Sequence, residues 1–213
     1  MADLKFVSLA DSAFERLEND ILTGVYEKND VLTEISLSKE LGISRTPIRE
    51  AIRRLEQENL VKLTSRGILV CGLSEQDIED IYEIRCAIES IATAKCAENI
   101  SDKKLEKLGE IIDLQEFYTM KNDAEDIKET DSKFHDFIYE NCKSPILENI
   151  LTSLHRKVQK YRKLSVQDGE RAHLAVEEHR EIYKALLARD SKLAASLAKK
   201  HIENAKASII KKV

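Results

Sequence analysis

Tryptophan is absent from this chain, and turn formers are scarce, with two prolines and six glycines among 213 residues. That excludes a β-sandwich, which needs turn chemistry about every 8–12 residues, and a Pro/Gly-rich disordered chain. No apolar run approaches the roughly 20 residues that span a bilayer, and the start MADLKFVSLADSAF has no long apolar signal core. The expected location is the cytoplasm. Cysteine is also sparse: Cys71, Cys86, Cys96 and Cys142 form no C-x-x-C pair and no small secreted framework, so they read as reduced thiols. Positive charge is not in excess either, since the formal net charge is −5. That does not exclude a nucleic-acid partner, because DNA contacts depend on where the positive side chains sit. What is present, 42% hydrophobic and 34% charged residues, fits a mainly α protein of one or two domains.

The two halves differ in texture. Residues 8–25 carry Leu9, Ala13, Leu17 and Ile21 at helical spacing, with Gly24 to end the helix. A short second helix follows in TEISLSKELG, with Thr33 as cap and Gly42 after its last turn. Ser44 then opens a third helix, in which Pro47 is tolerated in the first turn and Ile48, Ala51, Ile52 and Leu55 form one apolar stripe. Two helices joined by GIS make a helix-turn-helix. Next, LVKLTSRGILVCG reads as strands Val61–Thr64 and Ile68–Cys71 around a tight turn, the wing of a winged helix. From Leu73 onward the pattern is long amphipathic helices near 74–98, 101–121, 123–141, 145–164, 170–189 and 191–211, with breaks at points such as Lys143-Ser144-Pro145 and Gln167-Asp168-Gly169. The expected architecture is a winged helix over 1–72 followed by an all-α six-helix bundle over 73–213.

On the third helix, Arg45, Arg49 and Arg53 fall at i, i+4 and i+8 opposite the apolar stripe, as a recognition helix in a major groove requires. Residues 1–72 hold ten Lys and Arg against twelve Asp and Glu, so an isolated run of this kind would read as a solvated face. Here the run lies on the second helix of a helix-turn-helix, and Arg66 stands at the tip of a wing.

These residues carry a resemblance. SRTPIREAIRRLEQENLV followed by SRGILV is similar to the winged-helix signature of GntR-family bacterial transcription regulators, over residues 9–71. Residues 77–205, starting at DIEDIYEIRCAIES, resemble the all-helical FCD-type effector domain of the FadR subfamily. The resemblance implies a homodimer that binds a pseudo-palindromic operator and responds to a small metabolite, commonly a carboxylate. It implies DNA contacts from Arg45, Thr46, Arg49 and Gly67, and more weakly from Thr33 or Glu34. The chain departs from the family pattern twice: EKND replaces the usual Pro-Gly before the second helix, and Asn59 stands where glycine is common.

In the helical half, Asp131 and His135 lie one turn apart among Ile127, Phe134 and Ile138, turned toward a core. His179 shares a face with Ala175, Ile182 and Leu186, and His201 shares one with Ala194, Leu197 and Ala205. His173 aligns with polar neighbours instead, and His155 sits at the margin of its stripe. A lone inward histidine is usually a hydrogen-bonded core residue. Four inward polar groups on three helices are costly to bury unpaired, at roughly 1–3 kcal/mol each, and one divalent cation satisfies them together. The resemblance agrees, since the metal-binding FCD type pairs Asp-x-x-x-His with two later histidines, matched by Asp131, His135, His179 and His201. The ligand chemistry suits zinc, with nickel or manganese as alternatives. Arg85 falls in the stripe of Ile78, Ile81, Ile88 and Ala92, where it can grip an effector carboxylate or pair with Glu89 one turn on. Arg162, at the edge of another stripe, is a further effector candidate.

The expectation is a DNA-binding transcription regulator, a repressor rather than an enzyme, that answers to a carboxylate or sugar acid held at a metal. Two other readings stay open at this point. One is a metal-dependent hydrolase using the same four residues, weakened by the lack of a clear general base, an H-E-x-x-H or a nucleophile motif. The other is a regulator whose metal is purely structural.

Overall fold

The computed structural model describes residues 8–159, 161 and 169–210, which form nine helices and one three-stranded sheet. The chain divides into two compact units at Ser74 and Glu75.

The N-terminal unit contains α1 (Leu9–Thr23), β1 (Val31–Leu32), α2 (Glu34–Leu41), α3 (Arg45–Gln57), β2 (Val61–Thr64) and β3 (Gly67–Val70). Its core is built from the periodic positions of the sequence: Phe14, Leu17 and Ile21 of α1 meet Leu37 of α2 and Ile48, Ala51, Ile52 and Leu55 of α3. The helix ends follow local chemistry. The Ser8 hydroxyl accepts from the Asp11 N–H to open α1, and Thr33 and Ser36 make a reciprocal capping box on α2. Gly42 takes φ +67°, the left-handed conformation that lets its N–H reach the Ser38 carbonyl and turn the chain directly into α3. Ser44 holds the expected N-cap position, but its side chain makes no capping hydrogen bond.

The wing differs from the expected hairpin in having a third strand. β1 pairs antiparallel with β3, Val31 opposite Leu69, and β3 pairs with β2, Val61 opposite Val70, giving the order β1-β3-β2. β3 starts at Gly67 and ends at Val70, one residue earlier at each end than expected. Both departures from the family pattern fall on asparagines at positive φ, Asn29 at 79° and Asn59 at 59°. Asparagine is the side chain that best tolerates this region after glycine, so both turns close without it.

The C-terminal unit is all α: α4 (Glu75–Asn99), α5 (Asp102–Lys121), α6 (Ala124–Asn141), α7 (Pro145–Lys157), α8 (Gly169–Leu187) and α9 (Ser191–Ile210). α9 lies along α4, and α5 packs against both α6 and α8. Ile112, Phe134, Ile138, Leu151, Ile182, Leu186 and Ala194 join in one core cluster. α6 starts at an Asp123 cap and α7 at a Ser144 cap with Pro145 in its first turn. α7 is bounded at Lys157, where the Val158 N–H turns to the Arg156 carbonyl; residues 159 and 161 are helical again, and the rest of the expected stretch to 164 lies outside the described residues. Arg162 and most of the expected break at Gln167-Asp168-Gly169 lie outside the described residues.

Candidate metal centre and DNA-binding face

α6, α8 and α9 each deliver one imidazole to a common point. The Nε2 atoms of His179 and His201 are 3.3 Å apart, and those of His201 and His135 are also 3.3 Å apart. All three rings are buried, at 4% exposure or less. Asp131, one turn before His135, brings Oδ1 to 3.7 Å from the His179 Nε2. The three histidines therefore form one group whose ligand atoms all lie within 4.8 Å of one another, and Asp131 stands beside it, against His179.

The opposite nitrogen of each ring is occupied. His135 Nδ1 faces Glu89 Oε2 at 3.1 Å, His201 Nδ1 faces Glu178 Oε2 at 2.6 Å, and His179 Nδ1 faces Gln115 Oε1 at 2.7 Å. Ionised carboxylates only accept, so the first two rings carry their protons on Nδ1. The Gln115 amide nitrogen is turned to Asp131 Oδ1 at 3.4 Å, which leaves its carbonyl to accept from His179. Three bare Nε2 lone pairs consequently point at one another. Without a cation that contact is repulsive; with one, these partners fix each tautomer and raise ligand basicity.

The electrostatics favour the neutral form of His201. Burial pushes His201 down to about 4 against the opposing pull of Glu178. His155, whose ring lies 5.3 Å from that of His135, is driven well below the ordinary range by burial and then by Arg85. Burial raises the Glu178 carboxyl, but the hydrogen bond from His201 and then Arg171 outweigh it and hold it at about 2. Burial likewise opposes ionisation of Glu89, and the Arg85 guanidinium and the His135 contact overcome it.

A small pocket opens beside this cluster, lined by Asp131, His135 and His201 together with Arg85 and Arg171. Arg85 makes the ion pair with Glu89, its Nε donating at 2.6 Å, and its side chain also lines the pocket. Glu89 needs correction as an effector contact. It is 3% exposed and outside the pocket lining, because its two oxygens are engaged by Arg85 and His135. Gln115, Glu178 and Arg171 escaped the sequence reading. Gln115 could have been found, since it interrupts the buried series Leu105, Leu108, Ile112 and Thr119 with an amide.

In the N-terminal unit, α3, the start of α2 and the wing surround an open groove of about 680 Å³. Thr33, Arg45, Arg49 and Gly67 line it, with Glu34 between the arginines. Glu34 accepts from Arg45 Nη2 at 3.0 Å and from Arg49 Nε at 2.8 Å. Thr46, Arg53 and Arg66 are exposed but outside the groove's lining. Arg54 points the other way, donating to Asp11 at 2.6 Å and lying 4.0 Å over the Phe14 ring, so it fastens α3 to α1.

Residues 80–204 match the FCD domain family, and residues 9–70 match the bacterial regulatory proteins of the gntR family. The chain belongs to the gntR family. Like other gntR-family proteins with an FCD domain, it is a DNA-binding transcription regulator with a small-molecule effector domain, not an enzyme. It is similar to the regulator YdhC of Bacillus subtilis, 28% identical over 184 residues, covering 85% of this chain and 82% of that one. It also resembles the gluconate operon transcriptional repressor of Bacillus licheniformis, 27% identical over 147 residues, which are 69% of this chain and 60% of that one. Among solved structures, this gntR-family fold is shared by McbR/YncC of Escherichia coli, with a TM-score of 0.80 at 22% identity over 97% and 99% of the two chains. The Listeria monocytogenes protein Lar follows at 0.67 and 20% identity over 97% and 99%. None of the described helices is long and apolar enough to cross a membrane.

Proposed function

We propose that this gntR-family protein is a cytoplasmic, homodimeric repressor. Residues 1–72 bind a pseudo-palindromic operator, and residues 73–213 dimerise and sense a small carboxylate at a zinc ion. The observation that carries the sensor reading is the spacing of the imidazoles. Zinc–nitrogen bonds of about 2.0–2.1 Å in a tetrahedron separate neighbouring nitrogens by about 3.3–3.4 Å. Both nitrogen pairs that face each other here stand at 3.3 Å. Asp131 is the fourth ligand.

When bound, the metal supplies a Lewis-acidic anchor for an anion. The chain's own residues do the rest: Glu89, Gln115 and Glu178 orient the rings, and Arg85 donates to the incoming carboxylate. A purely structural metal is the less favoured reading, because the cluster borders a pocket instead of being sealed on every side. The pocket's walls include Tyr82 and Arg85 of α4, a helix separated from the end of β3 by four residues. Effector binding alters the operator-competent arrangement through this helix, by differential affinity for the two states. The repressor name of the Bacillus licheniformis relative supports relief of repression as the sign.

The test combines metal and DNA. Purified protein should contain about one zinc per chain, and excess zinc should raise the melting temperature of chelated protein by roughly 5–15 °C, as expected at 100 to 1,000 times Kd. His201→Ala should abolish that shift and the release of operator by carboxylates. Loss of the shift with an intact carboxylate response would leave the metal structural only. Operator affinity should fall steeply with salt despite the acidic total charge, and a flat response would count against phosphate contacts.

A further inference from the structure

The pocket beside the imidazoles says more about its occupant than that it is a carboxylate, granted the effector reading above. We infer that the effector is a monocarboxylate with a short apolar body, and not a sugar acid or a dicarboxylate.

Charge is the first argument. Arg85 is neutralised by Glu89 at 2.6 Å, and Arg171 by Glu178 at 2.7 Å. A divalent ion held by Asp131 and three neutral imidazoles leaves one net positive charge. A single carboxylate completes neutrality. A second would bury a net negative charge among groups that are themselves almost fully withdrawn from water, where uncompensated charge is most costly.

The walls are the second argument. Away from the metal ligands and arginines, the pocket is lined by Ala175, Ile202, Ala205 and Ile209, with Tyr82 beside Arg85. Ala175, Ile202 and Ala205 lie inside α8 and α9, where backbone N–H and C=O groups are already spent on the helical ladders, and Ile209, in the last turn of α9, adds an apolar side chain. Hydroxyl groups along an effector's body would lose water there and find no replacement partner. An alkyl chain or small ring loses nothing. The cavity between these walls is small, about 30 Å³, which favours a short body. The gluconate named for one relative is the kind of polyhydroxylated acid these walls disfavour.

Isothermal titration of the zinc-loaded full chain with hexanoate, benzoate, gluconate and succinate tests this. Hexanoate or benzoate should bind at least ten-fold more tightly than gluconate and succinate. Ala205→Phe, which fills the apolar wall, should abolish hexanoate binding while zinc stoichiometry stays unchanged. Tighter binding of gluconate or succinate overturns the inferred class and leaves the carboxylate sensor standing. Hexanoate binding that survives Ala205→Phe overturns the pocket assignment. Failure of every probe on zinc-loaded protein overturns this inference and the sensor reading together.

Discussion

Arg45 and Arg49 are not free side chains awaiting DNA, because one carboxylate holds both. Each must exchange Glu34 for a base edge or a phosphate when DNA arrives. Arg49→Ala should therefore weaken specific operator binding by about ten-fold or more, in line with 1–3 kcal/mol per good arginine contact, while circular dichroism stays unchanged. Glu34→Ala should do the opposite for random DNA, raising affinity several-fold and reducing the ratio of specific to random binding. Anisotropy titrations at several salt concentrations measure both, and an Arg49→Ala protein with normal operator affinity would remove α3 from the groove. At the candidate metal centre, the inward placement of Asp131, His135, His179 and His201 is legible because each polar side chain interrupts an apolar series at helical spacing. Glu178 was not, since it precedes His179 directly in sequence yet serves His201 of the next helix. Arg171 depends in turn on Glu178. The Glu178–His201 partnership exists only after α8 and α9 have packed, and the Arg171–Glu178 pair, two turns apart on α8, lies outside the i, i+3 and i, i+4 spacings that mark helical pairs in a sequence.

The wing depends on a single residue that both strands require. Gly67 has φ +135°, and a Cβ there would stand 2.6 Å from the Leu32 carbonyl oxygen and 3.1 Å from Val31 Cγ1. Neither the conformation nor the backbone contact can relax cheaply, because β1 and β3 are paired at this point. Gly67→Ala should destabilise the N-terminal unit by about 1–3 kcal/mol and weaken operator binding, leaving zinc content untouched. Differential scanning calorimetry with metal analysis checks both halves, and an unaltered melting profile would contradict the clash of a Cβ with the Leu32 carbonyl. Sequence periodicity could locate the helix starts within a few residues because capping groups such as Thr33, Asp123 and Ser144 act locally. It could not find β1. Val31 and Leu32 are too few to show alternation, and their strand exists only through pairing with Leu69 and Ile68.

Sensing at the scale of the whole molecule is a statement about two affinities, and the two are thermodynamically tied. If an effector bound beside His135 and His201 lowers operator affinity by some factor, operator DNA must lower effector affinity by the same factor. The two measurements are independent: fluorescence anisotropy of labelled operator at saturating effector, and calorimetric titration of effector into the protein with and without saturating operator. For coupling of typical strength, about 1–3 kcal/mol, both should shift by about 5- to 150-fold and agree within error. His179→Ala, which removes a ligand that does not line the pocket, should collapse both shifts together if the metal anchors the effector. Equal effector affinity with and without operator would mean that the helical unit binds its ligand without informing the winged helix, and the proposed regulatory role would fail however tightly the ligand binds.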